Sequence, residues 1–247
     1  MKQYQYYVNY LREQWRMNKP VATWFLIIAC TAIWLFEMIS YYIAPSFFST
    51  IITNGAFTPF LFVTKPWTAV TSLFLHAPNI WHLTFNMMML WLIGPTVERY
   101  LGHAEYLAIY FLSGIGSNFA MMLWSKYAAG SNGIYLSVYG ASGAILGLCG
   151  TLLVLYRKLG FQIRSLIILL IIIFAEPLLA GGIAWQSHIG GCIIGFILMA
   201  CENLYVFQPR KKQKIYRINM NVGMLILLTY GLFAVGYQFA LPMSHLA

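Results

Sequence analysis

Long apolar runs, interrupted by short polar segments, make up most of the chain after residue 20. Each run is long enough for a helix, rising ~1.5 Å per residue, to cross most of the ~30 Å hydrocarbon core of a bilayer. The predicted spans cover residues 21–43, 81–100, 104–124, 140–156, 161–180, 184–204 and 218–240. The pattern therefore predicts an all-α bundle of seven membrane helices.

The segments between these runs differ in character. Residues 1–20 are polar and aromatic, which predicts a short segment at the membrane surface. Residues 44–80 combine prolines with many aromatic side chains, so we expect a long loop half sunk among the lipid headgroups. Residues 125–139 contain glycine, serine and asparagine, and are predicted to form a loop that dips inward to Gly140 and leaves a wet cavity open to the outside.

The composition and the placement of charge support a membrane protein. The chain is 60% hydrophobic and 9% charged, whereas a soluble domain carries roughly 25% charged residues. With the N-terminus inside, all of the 15 lysines and arginines except Lys65 and Lys126 fall in inner segments, as the positive-inside rule requires. This predicts a cytoplasmic N-terminus and an outer C-terminus. The excess of basic residues, a formal net charge of +9, is then explained by the membrane topology and by contacts with membrane lipid. It does not indicate a nucleic-acid partner.

Four polar residues stand out inside the apolar runs: Ser142, His188, His82 and Asn86. His82 and Asn86 are four residues apart and therefore share one helix face. Counted from the charged residue at the inner end of each span, Ser142, His188 and His82 all lie roughly 21–24 Å above that end. Ionisable groups within membrane spans are candidates for function. Three spans thus bring polar groups to one depth, which predicts an active site below the outer surface.

Small residues allow the helices that carry these groups to approach each other. Gly143 and Gly147 follow Ser142, and Gly191 and Gly195 follow His188, each pair at the four-residue spacing that permits close helix packing in lipid. If the two faces meet, His188 can take the proton of Ser142 Oγ and later protonate a leaving amine.

The same residues offer donors for a developing oxyanion. Ser142 lies near the start of its span, where backbone N–H groups lack intrahelical partners. Its own N–H, with the side chains of His82 and Asn86, can form an oxyanion hole. The chain contains no aspartate, and Glu37 and Glu176 are the only carboxylates in the outer halves of the spans. We therefore expect a Ser-His dyad without a third member.

The motifs of this cluster resemble the three signature motifs of the rhomboid intramembrane serine proteases, in the same order and on the second, fourth and sixth spans. They are His82-x-x-x-Asn86, Gly140-Ala141-Ser142-Gly143 and Ser187-His188-x-x-Gly191, and Trp67, Phe74, His76 and residues 94–102 are also similar. The resemblance implies a six-helix core, Ser142 as nucleophile, His188 as base, and His82 and Asn86 as oxyanion donors. It also implies cleavage of transmembrane protein substrates near the outer face. We expect a monomer to be sufficient for catalysis without cofactor or metal, in the plasma membrane, and the sequence does not indicate the oligomeric state.

The resulting division of the chain has five parts. Residues 1–20 are predicted as a cytoplasmic segment, 21–207 as the rhomboid-like core, 208–217 as a basic cytoplasmic linker, 218–240 as a seventh helix and 241–247 as a tail. Thr68 and Leu146 depart from the family pattern, which often has an arginine at the first position and an aromatic residue at the second.

Three alternatives remain open at this point. A catalytically silent relative that binds and escorts membrane proteins would need Ser142 and His188 to lie apart, and Leu146 is its only support. A small-molecule transporter fits poorly, because the polar cluster is one-sided and the chain shows no repeated halves. A zinc site made from His76, His82 and His188 lacks a carboxylate or an HExxH motif.

Overall fold

A computed structural model describes residues 19–128, 133–171, 184–205 and 209–240, together with residue 9. In chain order its helices are α1 (Val21–Ile43), α2 (Pro45–Gly55), α3 (Thr68–Thr71), α4 (Ile80–Leu101), α5 (His103–Tyr127), α6 (Ser142–Leu159), α7 (residues 164–171), α8 (Trp185–Tyr205) and α9 (Arg210–Ala240). Short 3₁₀ turns lie at Pro59–Leu61 and Gly133–Tyr135. No strand occurs in the described residues, which confirms the predicted all-α bundle.

Among the described residues, five helices are long and apolar enough to cross a membrane, namely α1, α5, α6, α8 and α9. The chain is therefore an integral membrane protein. The second predicted span is present as α4, but polar residues such as His82, Asn86 and Glu98 lower its mean hydropathy, so it is not among the five. The fifth predicted span lies within the described residues only as α7, and residues 172–180, with Glu176, fall outside them. The count of seven spans stays a prediction.

The main differences between the observed and the predicted helix boundaries lie at three places. Residues 44–80 contain α2, which starts with Pro45 at a position where a missing N–H does no harm, so this segment is not only a loop. Helix α6 runs on to Leu159 and ends where Gly160 adopts φ +74°, with Phe161 N–H donating to the Tyr156 carbonyl.

The third difference is the start of the last helix. Helix α9 begins at Arg210 and not at residue 218, so most of the predicted linker 208–217 is helical. Lysine, arginine and glutamine favour helices about as well as leucine does, and no glycine or proline interrupts residues 210–217. The hydropathy of the sequence predicts where the lipid-facing part of the helix begins, but the helix itself starts earlier and includes the charged residues before it.

Hydrogen bonds connect the start of α1 to the last turn of α4. The buried Glu98 carboxylate accepts hydrogen bonds from the N–H groups of Ala22 (2.7 Å) and Thr23 (2.8 Å), and from Thr23 Oγ1 (2.6 Å). These amides have no intrahelical partner, and a carboxylate is favourable at the positive end of a helix dipole. A Cβ at Gly94 would lie 2.7 Å from Thr23 Cγ2, so glycine permits the close approach. Glu98 is thus a structural cap for α1.

Helix α9 is attached to the core by polar contacts and by aromatic packing. Arg217 Nε lies 2.9 Å from Glu202 Oε1 on α8, and Asn221 Nδ2 donates to Glu105 Oε1 on α5 at 3.0 Å. Further along, the Phe233 ring packs against Phe62 in the α2–α3 connection, with centroids 5.0 Å apart. The last helix therefore contacts the bundle along its length.

Candidate active site

Three helices start at the site and carry its polar side chains. Ser142 is the first residue of α6, and His82 and His188 lie in the first turns of α4 and α8. The positive ends of three helix dipoles therefore converge on one region, which favours the development of negative charge there.

Ser142 and His188 lie in hydrogen-bond contact. His188 Nε2 is 2.9 Å from Ser142 Oγ, a normal length for such a bond. The His188 side chain is 8% exposed, whereas Ser142 is half-buried. His188 Nδ1 has no hydrogen-bond partner among the described residues. Of the two carboxylates considered as a third member, Glu37 instead accepts from His76 N–H at 3.1 Å, and Glu176 lies outside the described residues.

His82 approaches the same point from α4. Its Nδ1 accepts a hydrogen bond from Ala77 N–H at 3.0 Å. The other side of the ring faces Gly140, because a Cβ added to Gly140 would lie 3.1 Å from both His82 Nε2 and Cε1 and 3.8 Å from Ser142 Oγ. Gly140 has φ +134°, a conformation that L side chains avoid, so glycine is needed both for the backbone and for the space. The ring edge of His82 thus faces the surroundings of the Ser142 hydroxyl.

Asn86 lies one turn further into α4. Its Nδ2 donates to the His82 carbonyl at 2.7 Å. An amide side chain carries two N–H bonds, and this contact uses one of them within α4 itself. A role for Asn86 at the oxyanion therefore depends on its second N–H.

The four glycines expected at the helix contact lie at a junction of three helices. A Cβ on Gly191 or Gly195 would overlap the carbonyl oxygens of Gly143 and Gly147, so α8 packs against the α6 backbone. The Cβ positions of Gly143 and Gly147 themselves point to Ser117 and Ser113 on α5. The α6–α8 contact was expected from the sequence, whereas the part played by α5 was missed.

A buried hydrogen-bond chain from α5 also supports the site. Asn118 Nδ2 donates to the Ala69 carbonyl (3.0 Å) and to Ser72 Oγ (3.1 Å), and the Ser72 carbonyl accepts from Gly140 N–H at 2.9 Å. The α3 segment thereby holds the turn that precedes Ser142. Asn118 is 3% exposed within an apolar span, and such a buried polar residue is the signal that would have identified it.

The remaining residues of interest lie around this cluster. Thr68 Oγ1 donates to the Lys65 carbonyl at 2.7 Å, and Leu146 is buried one turn after Ser142. Burial, and to a lesser degree the charge of His82, lowers the pKa of His76 to about 4, so its ring is neutral near pH 7. No group of three histidine, cysteine or glutamate side chains that could hold a metal occurs among the described residues.

Known proteins with similar sequences exist. Residues 63–205 match the Rhomboid domain family model. The chain is 33% identical over 180 residues to Rhomboid protease GluP of Bacillus subtilis, which covers 70% of this chain and 33% of that protein. It is 29% identical over 209 residues to Rhomboid protease AarA of Providencia stuartii, covering 75% of this chain and 73% of that protein. The chain thus spans about a third of the first relative's length and most of the second's.

Proposed function

The chain belongs to the rhomboid family, and on this premise we propose that it is an intramembrane serine endopeptidase with a Ser142–His188 dyad. The observation that carries the proposal is the 2.9 Å separation of Ser142 Oγ and His188 Nε2 at the start of two packed membrane helices. A serine hydroxyl is a weak nucleophile until a base accepts its proton, and an imidazole nitrogen at this distance is such a base.

The reaction follows from these two groups. His188 Nε2 accepts the hydroxyl proton while Ser142 Oγ attacks the carbonyl carbon of the scissile peptide bond. The tetrahedral intermediate then collapses, the C–N bond breaks, and the leaving amine takes the proton from His188. Water hydrolyses the resulting acyl ester: His188 accepts a proton from the water and returns it to Ser142 Oγ as the ester bond breaks.

The oxyanion of that intermediate is stabilised by donors at the helix starts. Because Ala77 N–H donates to His82 Nδ1, the neutral His82 ring carries its hydrogen on Nε2, on the edge that faces Gly140. The Ser142 N–H in the first turn of α6 is the second donor, and Asn86 contributes a third through its free N–H. Replacing one such donor typically lowers kcat by about 10²–10³-fold.

The substrates are transmembrane segments of other proteins, cut near the outer face of the plasma membrane. The placement of lysines and arginines supports a cytoplasmic N-terminus and seven spans. The site lies at the start of α4, α6 and α8, which this topology places at the outer side. Residues 21–207 form the catalytic core, for which one copy of the chain is sufficient and no cofactor or metal is needed. The basic residues near the start of α9 contact anionic lipid.

Purified protein in lipid nanodiscs, mixed with a fluorescent transmembrane substrate, tests the proposal. We expect cleavage by the wild-type chain, and none by Ser142→Ala or His188→Ala. The control is Ser40→Ala, because Ser40 is a buried serine on α1 whose hydroxyl donates to the Phe36 carbonyl of its own helix at 2.8 Å. A fully active Ser142→Ala variant would end the proposal.

Labelling with a serine-reactive fluorophosphonate distinguishes a protease from a catalytically silent relative that binds membrane proteins. The reagent reacts with an activated serine whether or not the peptide substrate is suitable. We expect labelling of the wild type and of Ser40→Ala, and loss of labelling in Ser142→Ala and His188→Ala. Absence of labelling in a folded wild-type protein would favour the silent relative.

A further inference from the structure

The side chain of His82 is useful to an oxyanion only in one tautomer and one orientation. Its Nδ1 accepts from Ala77 N–H at 3.0 Å. A backbone N–H can only donate, so Nδ1 carries no hydrogen and the neutral ring must carry it on Nε2. The Ala77 amide therefore decides which edge of His82 is the donor.

The backbone on both sides of that amide is anchored to α1. Trp34 Nε1 donates to the Ala77 carbonyl at 3.0 Å, and Glu37 Oε2 accepts from His76 N–H at 3.1 Å. Trp34 and Glu37 are three residues apart and share one helix face. The peptide whose N–H reaches His82 thus lies between two peptides that α1 holds. Pro78, which follows, restricts Ala77 to extended backbone.

The burial of these two anchors indicates a role beyond packing. Trp34 is 8% exposed and Glu37 is 0% exposed. A buried carboxyl group inside a membrane span is unfavourable unless it has a specific partner, and apolar side chains of similar size fill space without that penalty. Glu37 does not serve His188, whose Nδ1 has no hydrogen-bond partner among the described residues. Its partner is the loop that holds His82.

We propose that Trp34 and Glu37 are positioning residues of the oxyanion site, which act by anchoring residues 76–77 so that the Ala77 amide keeps His82 in the Nε2–H tautomer. The inference rests on the proposed protease function and deepens it. Neither side chain touches substrate. Their effect on catalysis passes through the ring of His82, which makes the role separable from a general contribution to stability.

A double-mutant cycle tests whether the effect passes through His82. Trp34→Phe keeps an aromatic ring at this position and removes the Nε1–H donor, together with part of the volume of the indole. We expect kcat to fall roughly 2- to 13-fold, the range for one lost hydrogen bond, with KM unchanged because the oxyanion exists only in the transition state. In a His82→Ala background the same substitution should leave kcat unchanged. The control is Ser40→Ala, because this buried α1 hydroxyl bonds the Phe36 carbonyl of its own helix at 2.8 Å.

A second pair of variants distinguishes the effect of the hydrogen-bond acceptor of Glu37 from the effect of its side-chain volume. Glu37→Leu removes the acceptor for His76 N–H, whereas Glu37→Gln keeps an amide oxygen in its place. We expect Glu37→Leu to lower kcat in the same range, and Glu37→Gln to restore most of it. Equal losses in the two variants would contradict the role given to this hydrogen bond.

Imidazole ¹⁵N spectra of His82 in nanodiscs test the tautomer without relying on activity. The wild type and the inactive Ser142→Ala should both show the Nε2–H form, and Trp34→Phe should shift the ring signals. The proposal is overturned if Trp34→Phe lowers kcat equally with and without His82, or lowers kcat while the ring signals stay unchanged. Active Ser142→Ala would instead refute the protease function, while the spectra would still report the anchoring of His82.

Discussion

The substitution Gly191→Ala tests whether the glycine contact between α6 and α8 sets the geometry of the dyad. The new Cβ would overlap the Gly143 carbonyl oxygen and lie 2.8 Å from Gly143 C and 3.2 Å from Gly143 Cα. All three are backbone atoms, so no change of side-chain rotamer relieves the overlap. Helix α8 must therefore move away from α6.

The size of this movement follows from ordinary contact distances. Carbon atoms in contact lie about 3.5–4.0 Å apart, so the helices must separate by about 1 Å near Gly191. His188 is one turn before Gly191, and Ser142 is the neighbour of Gly143. Their 2.9 Å contact would lengthen to about 4 Å, beyond the ~3.2 Å limit of a hydrogen bond. A misplacement of about 1 Å can lower the rate about 10²-fold, and overpacking of this kind lowers the free energy of unfolding by about 1–3 kcal/mol.

The assay measures kcat on a transmembrane substrate, the rate of fluorophosphonate labelling, and thermal unfolding. The matched control is Gly223→Ala in α9, where a Cβ would meet no atom within 4 Å. This variant should be as active as the wild type and slightly more stable, since alanine favours a helix interior by about 0.5–1 kcal/mol. If Gly191→Ala folds and keeps full kcat and labelling, the glycine contact does not position the dyad and the reasoning is refuted.

Three further predictions concern the surroundings of the site and the last helix. Gly140→Ala should destabilise the protein by about 1–3 kcal/mol because of its φ, and should lower kcat by displacing the ring of His82; an unchanged kcat would contradict the contact. Arg217→Leu leaves the buried Glu202 carboxylate without its ion pair, and thermal unfolding should show a loss of about 3 kcal/mol, the lower end of the usual range because Arg217 is partly exposed. Since burial lowers the pKa of His76 from 6.5 to about 4, the unfolded chain gains a proton there below pH 6.5 that the folded chain does not. Stability should therefore fall as the pH is lowered from 7 towards 4, by about 3 kcal/mol from this group, and His76→Asn should reduce that dependence in unfolding measured at pH 7 and 5.

The class of fold and the family could be predicted from the sequence because both depend on strong local signals. Apolar runs and charge placement reflect the bilayer, and the motifs around His82, Ser142 and His188 are short and specific. The contact between Ser142 and His188 was expected from equal depth and from glycine spacing, since both can be counted along a helix. The catalytic roles themselves stay predictions until activity is measured.

The contacts that hold the site could not be read in the same way. The bond from Asn118 to Ala69 joins residues 49 apart, and the bond from Trp34 to Ala77 joins residues 43 apart. Neither pair follows a helical period, because each links a spanning helix to the segment of short helices and turns between α1 and α4. Hydrogen-bond partners so far apart in the chain depend on how this segment packs against the bundle, and local sequence patterns do not specify that packing. The sequence signals only one member of each pair, because a polar side chain within an apolar span is energetically unfavourable and therefore stands out.

Helix α5 shows why the site needs more than the three helices that carry its polar groups. None of the proposed dyad or oxyanion residues lies on α5. Ser113 and Ser117 nevertheless face the glycines of α6, and a Cβ on Gly190 of α8 would lie 3.0 Å from the Gly116 carbonyl of α5. Asn118, beside them, holds the α3 segment that bonds Gly140. Helices in lipid gain little from the hydrophobic effect and are held by close packing and hydrogen bonds. The hydroxyl on α6 and the imidazole on α8 therefore keep a fixed distance only if a third helix packs closely against both. In this chain α5 does so through its small and polar residues between positions 113 and 118.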